Sequence, residues 1–292
     1  MIDEIFAKFE GAFAENTLRA YHSDFEQFSY WCHTASVEPL DPSEQDIAAY
    51  VEAVQDRLAT ATIRRQIASL STILKLSGRQ DMTKAPEVIL ALKRMQRRKG
   101  RAQKQAVPLT RDIRDQLLSV CSSDTKGLRD RVLLHLGSDT MRRRAELCRF
   151  RFEDLEQLPN GRVALRLVFS KTDQLGKGKI VPISPPTHQL LQQWGDRFSQ
   201  TGFILRGVSK NGAIRESLNP ASINTILQRL QKIAGIKDIG QLSGHSFRVG
   251  GAIDLLEEGE PLERIMLRGG WQSESTTIGY LRSWQAVTST TT

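Results

Sequence analysis

The chain has 292 residues, of which 39% are hydrophobic and 25% charged, and 41 Lys and Arg against 33 Asp and Glu give a net charge of +8. This composition excludes wholesale disorder, and the absence of any apolar run near eighteen residues excludes a transmembrane helix. Cys32, Cys121 and Cys148 lie far apart with no CxxC pair, so neither a disulfide framework nor a zinc module is expected, and a reducing, cytoplasmic setting is. The start, MIDEIFAKFEGAF, is too acidic and broken for a secretory signal.

The first hundred residues read as helices. Asn16 is placed to N-cap a helix in which Leu18, Tyr21, Phe25, Phe28 and Cys32 recur at steps of three and four. Ser43 and Asp46 form a capping-box pattern ahead of the stripe Ile47, Val51, Val54, Leu58. A third helix carries Ile63, Ile67, Leu70 and Leu74, with Arg64 and Arg65 on its polar side, and stops at Gly78. Pro86 suits the first turn of a fourth, with Ile89 and Leu92 inward. Together these make an N-terminal helical bundle over 1–98.

Lys93–Lys104, KRMQRRKGRAQK, then holds seven basic residues and no acid, so it supplies nearly the whole net charge. It is either a solvated linker or the footprint of a polyanion. It has almost no apolar face, which argues against a membrane partner. The run ends at Val107-Pro108, and the linker is placed at 99–107.

A second domain is expected over 108–292. Helical stripes appear at Ile113, Leu117, Leu118, Cys121 and at Leu128, Val132, Leu133, Leu136. Gly137-Ser138-Asp139 reads as a break before a third helix around Arg142–Phe150. Arg162–Phe169 alternates, Lys179–Ile183 is short and β-branched, and KTDQLGKG between them is turn-rich, which predicts a hairpin or small sheet. Asn219-Pro220 opens a helix with Ile223, Ile226, Leu227 and Leu230, and the remainder is helical, broken at Gly269-Gly270. The fold class is mainly α with a small β-sheet.

No P-loop, dinucleotide-binding glycine pattern or HExxH occurs, and no carboxylate pair stands out for acid–base or metal work, so neither cofactor nor metal is expected. In LSGHSFRVGGA, His245 and Arg248 are three apart and share a face on a helix, where one can hydrogen-bond while the other clamps an anion. In SDTMRRRAELCRF, Arg143 and Glu146 are again three apart, and GGWQSESTTIGYL sets Trp271 nine residues before Tyr280.

The ordered set Arg143, Lys171, HSFR, GGW and Tyr280 resembles the tyrosine recombinases, or phage-integrase family, most nearly its Cre-like members. FSKTDQLGKG resembles the family's β-hairpin with its catalytic lysine, and the likeness spans about residues 12–284. The resemblance implies a core-binding bundle, a mixed α/β catalytic domain and a C-shaped DNA clamp. It implies Tyr280 as the nucleophile, Arg143 and Arg248 on the phosphate, His245 as proton acceptor and Lys171 as general acid, with Lys177 and Lys179 as rivals. Trp271 would pack the site and offer its indole N–H, and Glu146 would hold the arginine or histidine. Of the adjacent Arg142, Arg143 and Arg144, the family pattern selects Arg143.

The resemblance also implies double-stranded DNA with an inverted-repeat site, a homodimer on one site and a homotetramer in synapsis. Strands would exchange through a Holliday junction without ATP, metal or other cofactor. The expected DNA contacts are Arg64 and Arg65, then Arg97, Arg98, Lys99, Arg101 and Lys104 in the basic run, then Lys210 and Ser222. Ser222 stands where the Cre-like pattern has a base-reading arginine, which implies a different target. Absence of an arm-binding domain ahead of the bundle implies a self-contained enzyme. A type IB topoisomerase-like activity and a catalytically idle DNA-binding regulator are the alternatives. Trp284, four residues after Tyr280, and Val287 are the large anchors of a short tail expected to dock on a neighbouring subunit.

Overall fold

The computed structural model describes residues 2–100, 105–167 and 178–288, and the side chains of 4–100, 105–167 and 178–281. The chain divides into two compact units, 1–104 and 105–292.

The first unit is helical: α1 (Ile2–Ala7), α2 (Glu15–Ala35), α3 (Glu44–Val54), α4 (Thr60–Leu76) and α5 (Pro86–Lys99). The stripe of α2 is buried where the periodicity put it, at Phe25, Phe28 and Cys32. Its start differs from the expectation. The helix begins at Glu15 with Ala14 in the N-cap position. Asn16 instead lies in the first turn and accepts a hydrogen bond from Arg19. The Ser43–Asp46 capping box forms as expected. The buried face of α5 is Val88, Ala91 and Met95, and of the expected pair Leu92 is half-buried against the bundle core while Ile89 is not. Ile89 is exposed, because burying Val88, Ala91 and Met95 at helical spacing turns position 89 toward solvent. The short α1 was not anticipated. It buries Phe6 against His22 and Phe25 of α2, and Phe9 just beyond it packs on Phe6 and Phe13.

The second unit contains α6 (Arg111–Ser119), α7 (Thr125–Thr140), the single turn α8 (Arg144–Leu147), β1 (Leu155–Gln157), β2 (Val163–Leu167), β3 (Lys179–Pro182), α9 (Pro185–Asp196), α10 (Ser222–Ile233), α11 (Ser246–Glu257), α12 (Leu262–Gly269) and α13 (Glu274–Thr288). The strands form one antiparallel sheet in the order β1-β2-β3, with Leu165 paired to Leu155 on one side and Val181 on the other. The expected hairpin is therefore β2–β3, and the expected α10 stripe of Ile223, Ile226, Leu227 and Leu230 is buried. The expected break at Gly137-Ser138-Asp139 does not occur, since α7 runs through it. Gly137 serves packing: a Cβ there would lie 2.6 Å from the ring of Phe247.

Two cores fill this unit. The larger joins α6, α7, α9 and α10 to the sheet around Trp194 and Phe247. The smaller gathers Met141, Val249, Ala252, Ile253, Ile265, Trp271 and Leu281, with Tyr280 packed on it. That second core is the floor of the site. No helix among the described residues is long and apolar enough to cross a membrane.

Candidate active site

Three segments far apart in sequence converge on the small core. The first is the turn after α7. Met141 has φ +50°, the left-handed region that a non-glycine residue seldom occupies, and it ends α7 sharply. The chain then passes through Arg142 to Arg143, which is extended and precedes α8. Arg143 is exposed over about a third of its side chain, and Glu146 is almost wholly buried. The Glu146 carboxylate accepts from the Arg143 backbone N–H at 3.1 Å and from its Nη1 at 3.0 Å, so one acid fixes both the turn and the guanidinium.

The second segment is the start of α11. His245 is its N-cap and Arg248 lies in its first turn. Arg248 is 1% exposed. Its Nη1 donates to the carbonyls of Met141 at 2.8 Å and Gly269 at 2.9 Å, and its guanidinium lies 4.7 Å from the ring centroid of Trp271. Nε of Arg248 is buried with no hydrogen-bond partner among the described residues. Burial, then the neighbouring Arg143 and Arg142, pull its pKa down to about 10, so it remains a cation at neutral pH. The backbone of Leu109 crosses so close to α11 that a Cβ on Gly250 would meet its carbonyl oxygen at 1.9 Å, which fixes the height of the helix in the unit.

The third segment is the α12–α13 turn and α13 itself. Gly270 has φ +67°, and a Cβ on Gly269 would overlap the Trp271 ring at 1.9 Å, so both glycines are needed to seat that indole. Tyr280 projects from α13 with its hydroxyl 2.8 Å from Nε2 of His245. Its ring centroid is 5.5 Å from that of Trp271 and 5.3 Å from that of His245. Burial, then Arg248 and Arg143, push the His245 pKa below its ordinary value, which favours a neutral imidazole able to accept a proton. Gln105, which the sequence did not single out, donates to the Tyr280 carbonyl at 3.0 Å.

The structure thus brings together Arg143, Glu146, His245, Arg248, Trp271 and Tyr280. Lys171 and its rival Lys177 lie outside the described residues, while Lys179 is exposed at the start of β3. Arg142, set aside in the sequence, is buried beside Arg143. The family pattern selects Arg143 but gives no sign that Arg142 is buried, since that burial follows from the left-handed turn at Met141. Arg142, Arg143 and Arg248 lie within electrostatic reach of one another and of a single carboxylate, Glu146, so positive charge exceeds negative here, and Arg248 also senses Tyr280. Such a surplus suits a phosphate whose charge grows during reaction.

Residues 108–286 match the model of the phage integrase family, and residues 7–78 match that of the phage integrase N-terminal SAM-like domain. The chain belongs to the phage integrase family. It is a tyrosine recombinase by family, as its ordered motifs led one to expect. An integrase/recombinase XerD homologue of Selenomonas ruminantium is 29% identical over 286 residues, covering 94% of this chain and 83% of the relative. The recombinase Cre of Escherichia phage P1 is 26% identical, covering 95% and 87%. A crystal structure of a lambda integrase (75–356) dimer bound to a COC′ core site shares the fold, with a TM-score of 0.67 at 17% identity, covering 96% of this chain and 93% of that one.

The expected DNA contacts of this family member fall into two groups. Arg64 and Arg97 are exposed and make no ion pair among the described residues, and Lys210 is exposed in the turn between Val208 and Ile214. Others are engaged within the bundle. Arg65 pairs with the buried Asp24 at 2.5 Å, Arg98 pairs with Asp56 at 2.5 Å, and Lys99 donates to the carbonyls of Leu58 and Gln55. The basic run is thus partly the last turn of α5 rather than wholly a linker. Arg101 and Lys104 lie outside the described residues. Ser222 opens α10 at the rim of a groove of about 860 Å³ lined also by Lys126, Arg129, Arg215 and Arg229. The buried Asp130 pairs with both Arg129 and Arg229 there, a cluster the sequence did not reveal.

Proposed function

We propose that the chain is a site-specific recombinase that cleaves DNA through a 3′-phosphotyrosyl intermediate. The observation that carries this reading is the 2.8 Å contact of Tyr280 with His245, within electrostatic reach of Arg248 and Arg143. A phenol has an ordinary pKa of about 10, so it attacks poorly unless its proton has a receiver and its anion has cations nearby. His245 takes the phenolic proton through Nε2 as the Tyr280 oxygen attacks the phosphorus. Arg143 and Arg248 bind the non-bridging oxygens and stabilise the charge of the pentacoordinate state. The 5′ oxygen leaves with a proton, for which Lys171 is the assigned donor. The phosphodiester is exchanged for a phosphotyrosyl ester, so a 5′ hydroxyl from another strand can reverse the step without ATP. Glu146 acts through Arg143 as a positioning residue.

The proposed partner is duplex DNA with inverted half-sites, bound by two subunits and synapsed by four, with a Holliday junction between the two exchanges. The groove at α10, the exposed Arg64 of α4 and the basic end of α5 supply cationic surface for it. The proposed setting is the cytoplasm.

The decisive experiment selects adducts that survive denaturant from random inverted-repeat duplexes, with Tyr280→Phe alongside. Wild type should yield a covalent protein–DNA species on an enriched sequence. Tyr280→Phe should enrich the same sequence without any adduct. A mutant that still formed the adduct would remove Tyr280 from the role of nucleophile. Adducts should persist in chelator, since arginines supply the charge. Binding without adduct by wild type would favour the idle regulator, and multiple-turnover relaxation of supercoiled plasmid without exchange would favour the topoisomerase-like activity.

A further inference from the structure

Arg142 is a buried cation without a carboxylate partner. It is 4% exposed, and no acid among the described residues forms an ion pair with it. Burial pulls its pKa down, and Arg143 and Arg268 add to that pull against Glu146. An unpaired buried guanidinium is costly, so its hydrogen bonds matter. Nε donates to the carbonyl of Thr140 at 2.7 Å, and Nη2 donates to the carbonyl of Arg268. The first carbonyl ends α7, and the second belongs to the last turn of α12, where helix carbonyls lack intrahelical donors. A Cβ on Gly270 would lie 2.6 Å from Nη1, so the guanidinium fills the space that this glycine leaves.

Arg248 makes the same connection one residue further along each side of the joint, from Met141 to Gly269. Two guanidiniums therefore stitch the 140–141 turn to the 268–269 turn. Trp271 follows directly, its backbone N–H donating to the Met266 carbonyl at 3.0 Å, and its ring supports both Arg248 and Tyr280.

We infer that Arg142 is a positioning residue for the strand-cleavage step: its planar fork fixes the α12–α13 turn, and through Trp271 it fixes the Tyr280 hydroxyl relative to Arg248 and His245. The role of Tyr280 in this inference rests on the function proposed above. Carbonyl partners suit the task, because they hold a cation in place without cancelling its charge. Lysine cannot reproduce the fork, having a single nitrogen at its tip.

The test uses the full chain carrying Arg142→Met, Arg142→Lys and Arg142→Ala. Amide hydrogen exchange is followed over 266–281 and over 125–139, without DNA. Single-turnover cleavage and binding are measured on a nicked duplex built from the sequence that wild type enriches. Arg142→Met should speed exchange over 266–281 and leave 125–139 unchanged. It should slow cleavage by roughly 100-fold, the penalty of a displacement near 1 Å at a reacting group, with binding retained. Arg142→Lys should remain slow, and methylguanidinium should restore part of the Arg142→Ala cleavage rate. Unchanged exchange over 266–281 or full cleavage by Arg142→Lys would each overturn the inference. If Arg142→Met does not fold, the lysine variant and the guanidinium rescue still decide it. If wild type forms no adduct, the proposed function fails, while the exchange arm independently judges whether Arg142 holds the turn.

Discussion

Arginine does different work in the two units of this chain. In the bundle, Arg65 and Arg98 are answered by carboxylates, Asp24 and Asp56, so their charge is largely spent inside the protein. In the site, Arg142 and Arg248 are answered by backbone carbonyls of two turns. A carboxylate neutralises a guanidinium, whereas a carbonyl orients it and leaves its charge for an incoming anion. Arg143 stands between the two cases, paired with Glu146 yet exposed over about a third of its side chain, so the partner of an arginine decides whether its charge is offset inside the protein or only oriented.

The sharpest way to break this contrast is at Arg248. Arg248→Met should reduce single-turnover cleavage by roughly 10²–10³-fold, the range for removing one preorganised donor to a developing negative charge. Gel-shift affinity for the same duplex should fall far less. An equal fall in both would make Arg248 an ordinary binding cation.

Next in size is the stability difference between adjacent arginines on α4. Arg65→Ala strands the buried Asp24 carboxylate, whose Oδ2 is shared with Ser69 and whose Oδ1 has no hydrogen-bond partner among the described residues. It should lower unfolding free energy by about 2 kcal/mol, within the range for a charged group left unpaired and reduced because Arg65 is half exposed. Arg64→Ala should stay within about 0.5 kcal/mol, as for most surface substitutions. Denaturant melts of the two variants compare them directly. The reverse ranking for DNA affinity is expected, since Arg64 makes no ion pair among the described residues.

The basic end of α5 gives a smaller effect. Each lost phosphate contact should flatten the log–log salt dependence of binding by about 0.9. Arg97→Gln should produce nearly that change. Arg98→Gln and Lys99→Gln should produce less, because Asp56 and the carbonyls of Leu58 and Gln55 already hold them. Equal slopes for all three would mean that these internal contacts open on DNA.

The smallest effect concerns pH. His245 has a folded-state pKa below its ordinary value, so the folded chain resists its protonation more than the unfolded chain does. Its contribution to stability is fully present above the ordinary histidine value of about 6.5 and is lost as pH falls through the lower folded value. His245→Gln should flatten that part of the acid limb in melts recorded between neutral and mildly acidic pH. An unchanged limb would place the sensitivity at another group.

Much of this molecule was legible in the chain itself. The stripes of α2, α4, α7 and α10 fixed those helices because period-3.6 burial is a local pattern, and the Ser43–Asp46 box marked a helix start because capping spans only four residues. The order of Arg143, His245, Arg248, Trp271 and Tyr280 pointed to one family because motif spacing survives without knowledge of contacts. What the chain could not show was which partners its charges would choose. Asp24 and Arg65 are 41 residues apart, and Arg142 and Arg268 are 126 apart. Those pairings, the passage of α7 through Gly137, and the different surroundings of Arg142 and Arg143 were decided by tertiary packing. A buried charge takes whichever acceptor the fold brings within hydrogen-bond reach, and that acceptor is set by the meeting of distant segments rather than by any local pattern.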